Sequence, residues 1–141
     1  WIAFARNSKE DVIFVRDTCR ADEPLEGFET NPRAAKELLW RAALMAEAKC
    51  NLMVANGPIG LAYYMDPPWL KFSVLTPETP DYRPGQPEWW TTKHGISVGE
   101  QFPWCSPKQR IVWEKDTLPA IEKAWAELEL NRAPWVGTAN G

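Results

Sequence analysis

The sequence predicts a single α+β domain in which a mainly antiparallel sheet is covered on one face by two helices. The chain has 141 residues, enough for one domain, and its 45% apolar content is typical of a chain that buries a core. Short β-prone runs and two stretches of helical periodicity are separated by turns rich in Pro and Gly. The predicted order is strand, strand, helix, three strands, long loop, strand, helix.

The first sixteen residues are expected to form a β-hairpin. Residues 1–6 and 11–16 are rich in Ile, Val, Phe and Ala, and residues 7–10 supply a polar turn. Residues 17–30 then lose this pattern and become acidic around one Pro and one Gly. We therefore predict a surface loop after the hairpin.

The clearest helix is predicted over residues 32–50. Asn31 can cap the first turn, and Pro32 suits the first helical position because its missing N–H needs no partner there. Glu37 precedes Arg41 by about one helical turn, the order that favours an exposed ion pair. An apolar stripe with helical spacing runs through Ala35, Leu38, Leu39, Ala42, Met45 and Ala46.

Three β-prone runs follow, at residues 52–55, 61–65 and 70–76. The connections between them are short and rich in turn-forming residues, which favours an antiparallel meander. In the third run Lys71 alternates with apolar neighbours, so its side chain is expected on a solvated face. After a long loop, residues 110–114 predict a further strand.

The final helix is predicted over residues 117–131. Thr117 offers a cap and Pro119 lies in the first turn. The apolar residues of this stretch form a narrow seam at Leu118, Ile121, Trp125 and Leu128. We expect this helix and the helix over 32–50 to pack on the same face of the sheet.

Residues 77–109 form an irregular segment, the Trp/Pro-rich segment, which holds six Pro and three Trp. Loops longer than about 12–15 residues are usually functional or disordered, and Trp suits the recognition of ligands and proteins because it has a large flat face. We therefore predict a non-catalytic binding module for a protein or small molecule, although the same rings could instead be buried as core. The predicted binding residues are Trp69, Trp89, Trp90, Trp104, Tyr64 and Tyr82.

Residues 66–69 read Asp-Pro-Pro-Trp, which resembles the Asp-Pro-Pro-aromatic motif of amino-group methyltransferases, including N6-adenine methyltransferases. The resemblance implies that Asp66 and the Pro67 carbonyl hold the target amine and that the Trp69 ring stacks on the base. It also implies a glycine-rich loop for the methyl donor, and the chain contains no Gly-x-Gly. The other interpretation is a turn between two strands, fixed by consecutive prolines.

A second enzyme hypothesis uses Cys105 with His94, the only histidine. A thiol beside a histidine can form a nucleophile pair. A zinc site would need His94 with all three cysteines, and none of these has the spacing usual for structural zinc, so we predict no metal and no cofactor. Because no catalytic set is complete, a binding module is preferred to an enzyme.

Charge and composition bear on partners and location. The formal net charge of −3 comes with no basic stripe, so duplex nucleic acid is not an expected partner. The apolar runs are far shorter than the roughly 20 residues that span a bilayer, so no membrane partner is expected. Three cysteines without a CxxC pair favour reduced thiols and a cytoplasmic location. A removed signal peptide stays an open alternative because the chain begins at Trp1.

Overall fold

The computed structural model describes residues 1–54, 57–74 and 86–131, and at residues 86, 89 and 90 the backbone alone. Its mixture of helices and strands confirms the α+β class. The strands are β1 (Ile13–Phe14), β2 (Glu29–Thr30), β3 (Asn51–Val54), β4 (Trp69–Phe72) and β5 (Gln109–Val112). The helices are α1 (Ile2–Asn7), α2 (Pro32–Lys36), α3 (Leu38–Glu47), α4 (Ile59–Tyr63), α5 (Gln86–His94) and α6 (Leu118–Leu130). Within the described ranges, no helix combines the length and the apolar character needed to cross a membrane.

The main sheet is parallel, so the predicted antiparallel meander is wrong. β3, β4 and β5 lie side by side in that order, with Leu52 opposite Leu70 and Leu70 opposite Arg110. The run at 61–65, predicted as a strand, falls largely in α4, which buries two of its five residues. The connection that contains α4 returns the chain to the same end of the sheet, as a parallel pair requires. β1 and β2 form a second, two-stranded parallel sheet.

The central strand, β4, is buried along its whole length. Lys71 is only 2% exposed, so the solvated face predicted for this strand is wrong. A parallel sheet is covered on both faces, and the side chains of its central strand pack inside whichever way they point.

The two faces of this sheet have different coverings. On one face, called the helical face, Leu70 and Phe72 pack against α1 and α6. On the other face, called the loop face, Trp69 and Ile111 pack against Met45 of α3, against α4 and against part of the Trp/Pro-rich segment. The two helices predicted to share one face therefore contribute to opposite faces, α6 to the helical face and α3 to the loop face.

The predicted N-terminal hairpin is also wrong. Residues 2–7 form the helix α1, which buries Phe4 and Ala5. The Phe4 ring meets the Trp125 ring of α6 edge-on, with centroids 5.9 Å apart. Alanine, at positions 3 and 5, has the highest helix propensity, and packing on α6 stabilises a helix here. β1 pairs instead with β2, a short strand inside the stretch predicted as a loop.

The helix predicted over residues 32–50 is broken at Glu37, whose backbone is extended with φ −113° and ψ 115°. Asn31 caps α2 as expected, and its Oδ1 accepts a hydrogen bond from the N–H three residues on at 2.9 Å. Because of the break, the residues of α2 and α3 do not share one helix axis, and the predicted apolar stripe is not continuous. Leu38 and Leu39 are consequently exposed rather than buried.

The ion pair predicted between Glu37 and Arg41 is replaced by another. Arg33 Nε lies 2.9 Å from the Glu37 carboxylate, and the Arg33 guanidinium also stands 4.1 Å from the centroid of Trp40. Because Glu37 is engaged on this side, its carboxylate does not reach Arg41.

The strand predicted at 110–114 and the helix predicted at 117–131 are confirmed as β5 and α6. Thr117 caps α6, with its hydroxyl accepting a hydrogen bond from the Ala120 N–H at 3.4 Å. The Trp/Pro-rich segment contains the helix α5, which the sequence pattern did not indicate. Pro87 lies in its first turn, where proline is tolerated.

Candidate aromatic binding surface

Residues 95–108, the 95–108 loop, are held along the outer edge of β5. Gln101 Nε2 donates a hydrogen bond to the Ile111 carbonyl at 2.8 Å, and Gln101 Oε1 accepts one from the Ile111 N–H at 2.7 Å. Gly95 and Gly99 have φ angles of 69° and 98°, which glycine adopts readily and which let the loop turn sharply. The loop is therefore positioned by the sheet.

Two further hydrogen bonds hold the loop and the start of β5 in place. Trp113 Nε1 donates to the Glu100 carbonyl at 2.8 Å, and Gln109 Nε2 donates to the Met65 carbonyl at 2.6 Å. Between them, Phe102 is only 2% exposed and forms part of the core on the loop face. The loop thus behaves as a packed layer of the fold.

Phe102 is the centre of a group of rings, the aromatic cluster. Its ring stacks on that of Trp104, with centroids 4.8 Å apart and planes at 14°, and meets Tyr63 at 4.9 Å and His94 at 5.9 Å. Tyr63 in turn lies 5.7 Å from Trp69. Trp104 is 55% exposed, so its indole is supported by a buried ring on one side while much of its surface faces solvent.

Titratable groups near this cluster are shifted toward their neutral forms. Burial lowers the pKa of Lys71 to about 8, and its Nζ lies 5.5 Å from the centroid of Tyr63. Burial, with a smaller effect from Lys71, lowers the pKa of His94. Burial raises the pKa values of Tyr63 and Cys105. The local environment therefore disfavours charge, as expected beside a predominantly apolar packed layer.

Three of the predicted binding residues, Trp69, Tyr64 and Trp104, have side chains that the structure describes, and these three differ in exposure. Trp104 belongs to the aromatic cluster and is exposed, whereas Trp69 is 1% exposed and is a core residue whose ring cannot meet a ligand. Tyr64 is exposed at the end of α4. The backbone at residues 89 and 90 lies in α5, and their side chains, like the whole of Tyr82, lie outside the described residues.

The Asp-Pro-Pro-Trp string lies at the amino end of β4. Asp66 is exposed, and the Pro67 and Pro68 carbonyls accept hydrogen bonds from the Gln109 and Asn51 side chains at 3.3 and 3.4 Å. In open parallel sheets, ligands bind beyond the carboxyl ends of the strands, whereas this string lies at the amino end of β4. These contacts give the string a structural role in joining β4 to its neighbours.

Cys105 and His94 both lie beside Phe102 in the folded chain. The Cys105 N–H donates to the Phe102 carbonyl at 3.1 Å, and the imidazole packs edge-on against the Phe102 ring. A nucleophilic thiol needs a lowered pKa, whereas burial raises that of Cys105. Among the residues that the structure describes, no group of three or more His, Cys, Asp or Glu side chains could hold a metal ion.

The sequence identified Trp104 but not the residues that position it. Phe102 and Gln101 lie in a stretch without periodicity, where no pattern distinguishes a buried ring from an exposed one. The spacing of Phe102 and Trp104 at alternate positions was the one available signal. No protein-family model, curated protein or solved structure matches this chain. Function is therefore inferred from its own residues.

Proposed function

We propose that this protein is a non-catalytic binding module that engages a protein partner through the exposed indole of Trp104. The observation that carries the proposal is the stack of Trp104 on the buried ring of Phe102, at 4.8 Å and 14°. A large aromatic face that is held in place before binding loses little conformational entropy when a partner covers it. Such residues often dominate the binding free energy of protein interfaces.

The surroundings of Trp104 support binding rather than catalysis. His94, Tyr63 and Cys105 all have pKa values shifted toward the neutral form by burial. Neutral polar groups beside an exposed indole suit an apolar partner group, because little charge has to be desolvated when the interface closes. We expect the partner to present a flat apolar group, such as a proline or aromatic ring, to the indole.

The test places a photo-crosslinking amino acid next to the indole and asks whether capture depends on it. p-Benzoylphenylalanine would replace Pro103, which is exposed, and in a matched control would replace Glu122, exposed on α6 beyond the other face of the sheet. In extracts of the source cells, we expect a specific protein adduct from position 103 and none from position 122. Adding Trp104→Ala should reduce the yield at least tenfold.

Thermal unfolding of Trp104→Ala separates binding from stability. The indole is more than half exposed, so we expect a change in unfolding free energy within about 1 kcal/mol. An adduct whose yield is the same in Trp104→Ala, or the same from position 122, would contradict the proposal. Strong destabilisation by Trp104→Ala would instead assign the ring to the core.

A further inference from the structure

A partly open cavity of about 660 Å³ lies on the other side of the molecule from the 95–108 loop, at the outer edge of β3. Small-molecule sites commonly have volumes of about 300–1,000 Å³. Its walls come from α1, residues 10–17, Arg20, the second half of α3 with the residues up to β3, β3, the start of α4 and Trp125 of α6. No ring of the aromatic cluster lines the cavity, so it is a separate feature of the fold.

Most of the cavity wall is apolar. The wall includes hydrophobic side chains from five different parts of the chain: Phe4, Val12, Phe14, Leu44, Leu52 and Trp125. Such a lining favours a ligand with an apolar body, because burying each CH₂ group stabilises the complex by about 0.8 kcal/mol.

The cations in the wall are engaged, with one exception. Arg16 and Arg20 both bind the Glu23 carboxylate, and Lys49 pairs with acidic side chains on two sides. Arg41 also lines the cavity, yet within the described residues its guanidinium makes no hydrogen bond or ion pair. The carboxylate one turn before it, that of Glu37, is bound by Arg33 instead.

Arg41 is therefore a partly buried cation that faces the cavity without a close counterion among the described side chains. Burial lowers the pKa of Arg41, and Asp17 opposes this shift from beyond ion-pairing distance. A desolvated guanidinium is strongly stabilised by an anion that accepts its paired N–H groups, and a carboxylate matches its geometry. An unsatisfied cation in an apolar cavity points to a ligand that supplies this acceptor.

We propose that this cavity binds a small monocarboxylate with an unbranched apolar tail, its carboxylate on Arg41 and its tail among the apolar residues of the wall. A single charge is favoured over a doubly charged head group because Glu10, Asp11, Asp17 and Glu47 also border the cavity. These carboxylates would repel a second negative charge. The proposal is independent of the proposed protein-binding role of Trp104.

Isothermal titration calorimetry with sodium octanoate on the full chain tests the proposal. We expect saturable binding with one site, and at least tenfold weaker binding of octan-1-ol, which has the same tail without the charge. Arg41→Gln should weaken octanoate at least tenfold and leave octan-1-ol unchanged. Arg6→Gln removes an exposed cation of α1 that does not line the cavity and should bind octanoate as the natural sequence does.

A second variant tests the position of the tail without touching the charge. Ala48→Phe places a ring in the cavity wall at an extended residue that ends α3, so the backbone conformation is compatible with the larger side chain. It should abolish octanoate binding without lowering the melting temperature. Equal affinities for octanoate and octan-1-ol, or full binding by Arg41→Gln, would overturn the proposal. Loss of binding in Trp104→Ala would also overturn it, since that ring lies outside the cavity.

Discussion

The two faces of the parallel sheet bury residues of different chemistry. On the helical face, Leu70 meets Ile121 and Leu128 of α6, and all three side chains are fully buried and aliphatic. On the loop face, the same strand presents Trp69 and Lys71 to aromatic rings and to an irregular loop. The helical face can stabilise the fold without polar groups, whereas the loop face keeps titratable groups in an apolar setting near the exposed Trp104.

The largest loss of stability is expected from a substitution on the helical face. Leu70→Ala should lower the free energy of unfolding by about 3–5 kcal/mol, because α6 and α1 enclose the site and limit collapse around the new cavity. Urea denaturation followed by circular dichroism would measure it. Leu130→Ala, at the exposed end of α6, is the matched control and should change stability by no more than about 0.5 kcal/mol. Similar losses in both variants would show that this face is not the main source of stability.

The loop face should give the protein a pH dependence that the helical face lacks. Lys71 has a pKa of about 8 in the folded chain and about 10.4 when unfolded, so between these values the unfolded chain binds more protons. The contribution of Lys71 to stability should therefore rise with pH in this window, by about 2 kcal/mol between pH 8 and pH 10. Below pH 8 the lysine is charged in both states and this gain is absent.

Lys71→Met removes the titrating group while keeping a long apolar side chain. Denaturation of both proteins at intervals between pH 7 and pH 10 should show a more positive slope of stability against pH in the natural sequence than in the variant. Cys105 and Tyr63, whose pKa values are raised by burial, oppose the effect once the unfolded thiol and phenol ionise, above about pH 8.5 and pH 10, but they do so in both proteins. Parallel pH profiles for the two proteins would contradict the assignment of this dependence to Lys71.

A smaller effect is expected where the 95–108 loop meets β5. Gln101→Met keeps the length of the side chain but loses both hydrogen bonds to Ile111, which should lower stability by about 1–2 kcal/mol. Lys108→Met changes an exposed side chain of the same loop and should have an effect within about 0.5 kcal/mol. Amide hydrogen exchange at Ile111 should accelerate in the first variant only.

The sequence predicted the elements whose signals are local. Helix α6 followed from the cap at Thr117 and an apolar seam, and β5 from a short β-prone run. The parallel pairing of β3 with β4 could not be predicted from the sequence, because a short apolar run carries no information about the orientation of its partner strand. The run at 61–65 could form a strand or a helix turn, and the packing of α4 on the loop face decided the outcome.

The candidate sites were harder to predict from the sequence than the fold was. Lys71 alternates with apolar residues, a pattern typical of a half-solvated strand, and only the covering of both faces buries it. Trp104 could be singled out by residue type, but its support by Phe102 depends on the path of an irregular loop. At the cavity, the expected partner of Arg41 is Glu37, and its pairing with Arg33 instead is not encoded in the helical spacing.

The contact between Gln101 and Ile111 also bears on the pairing of β5 with a strand of another molecule. Within the described sheet, β5 has a free side, and a strand with unpaired N–H and C=O groups is a template for edge-to-edge aggregation. The amide of Gln101 occupies both groups of Ile111 in the way a neighbouring strand would, and the Ser106 carbonyl accepts from the Gln109 N–H at 2.9 Å. A side chain and a turn thus terminate the sheet at β5, and a further strand would have to displace them before it could pair there.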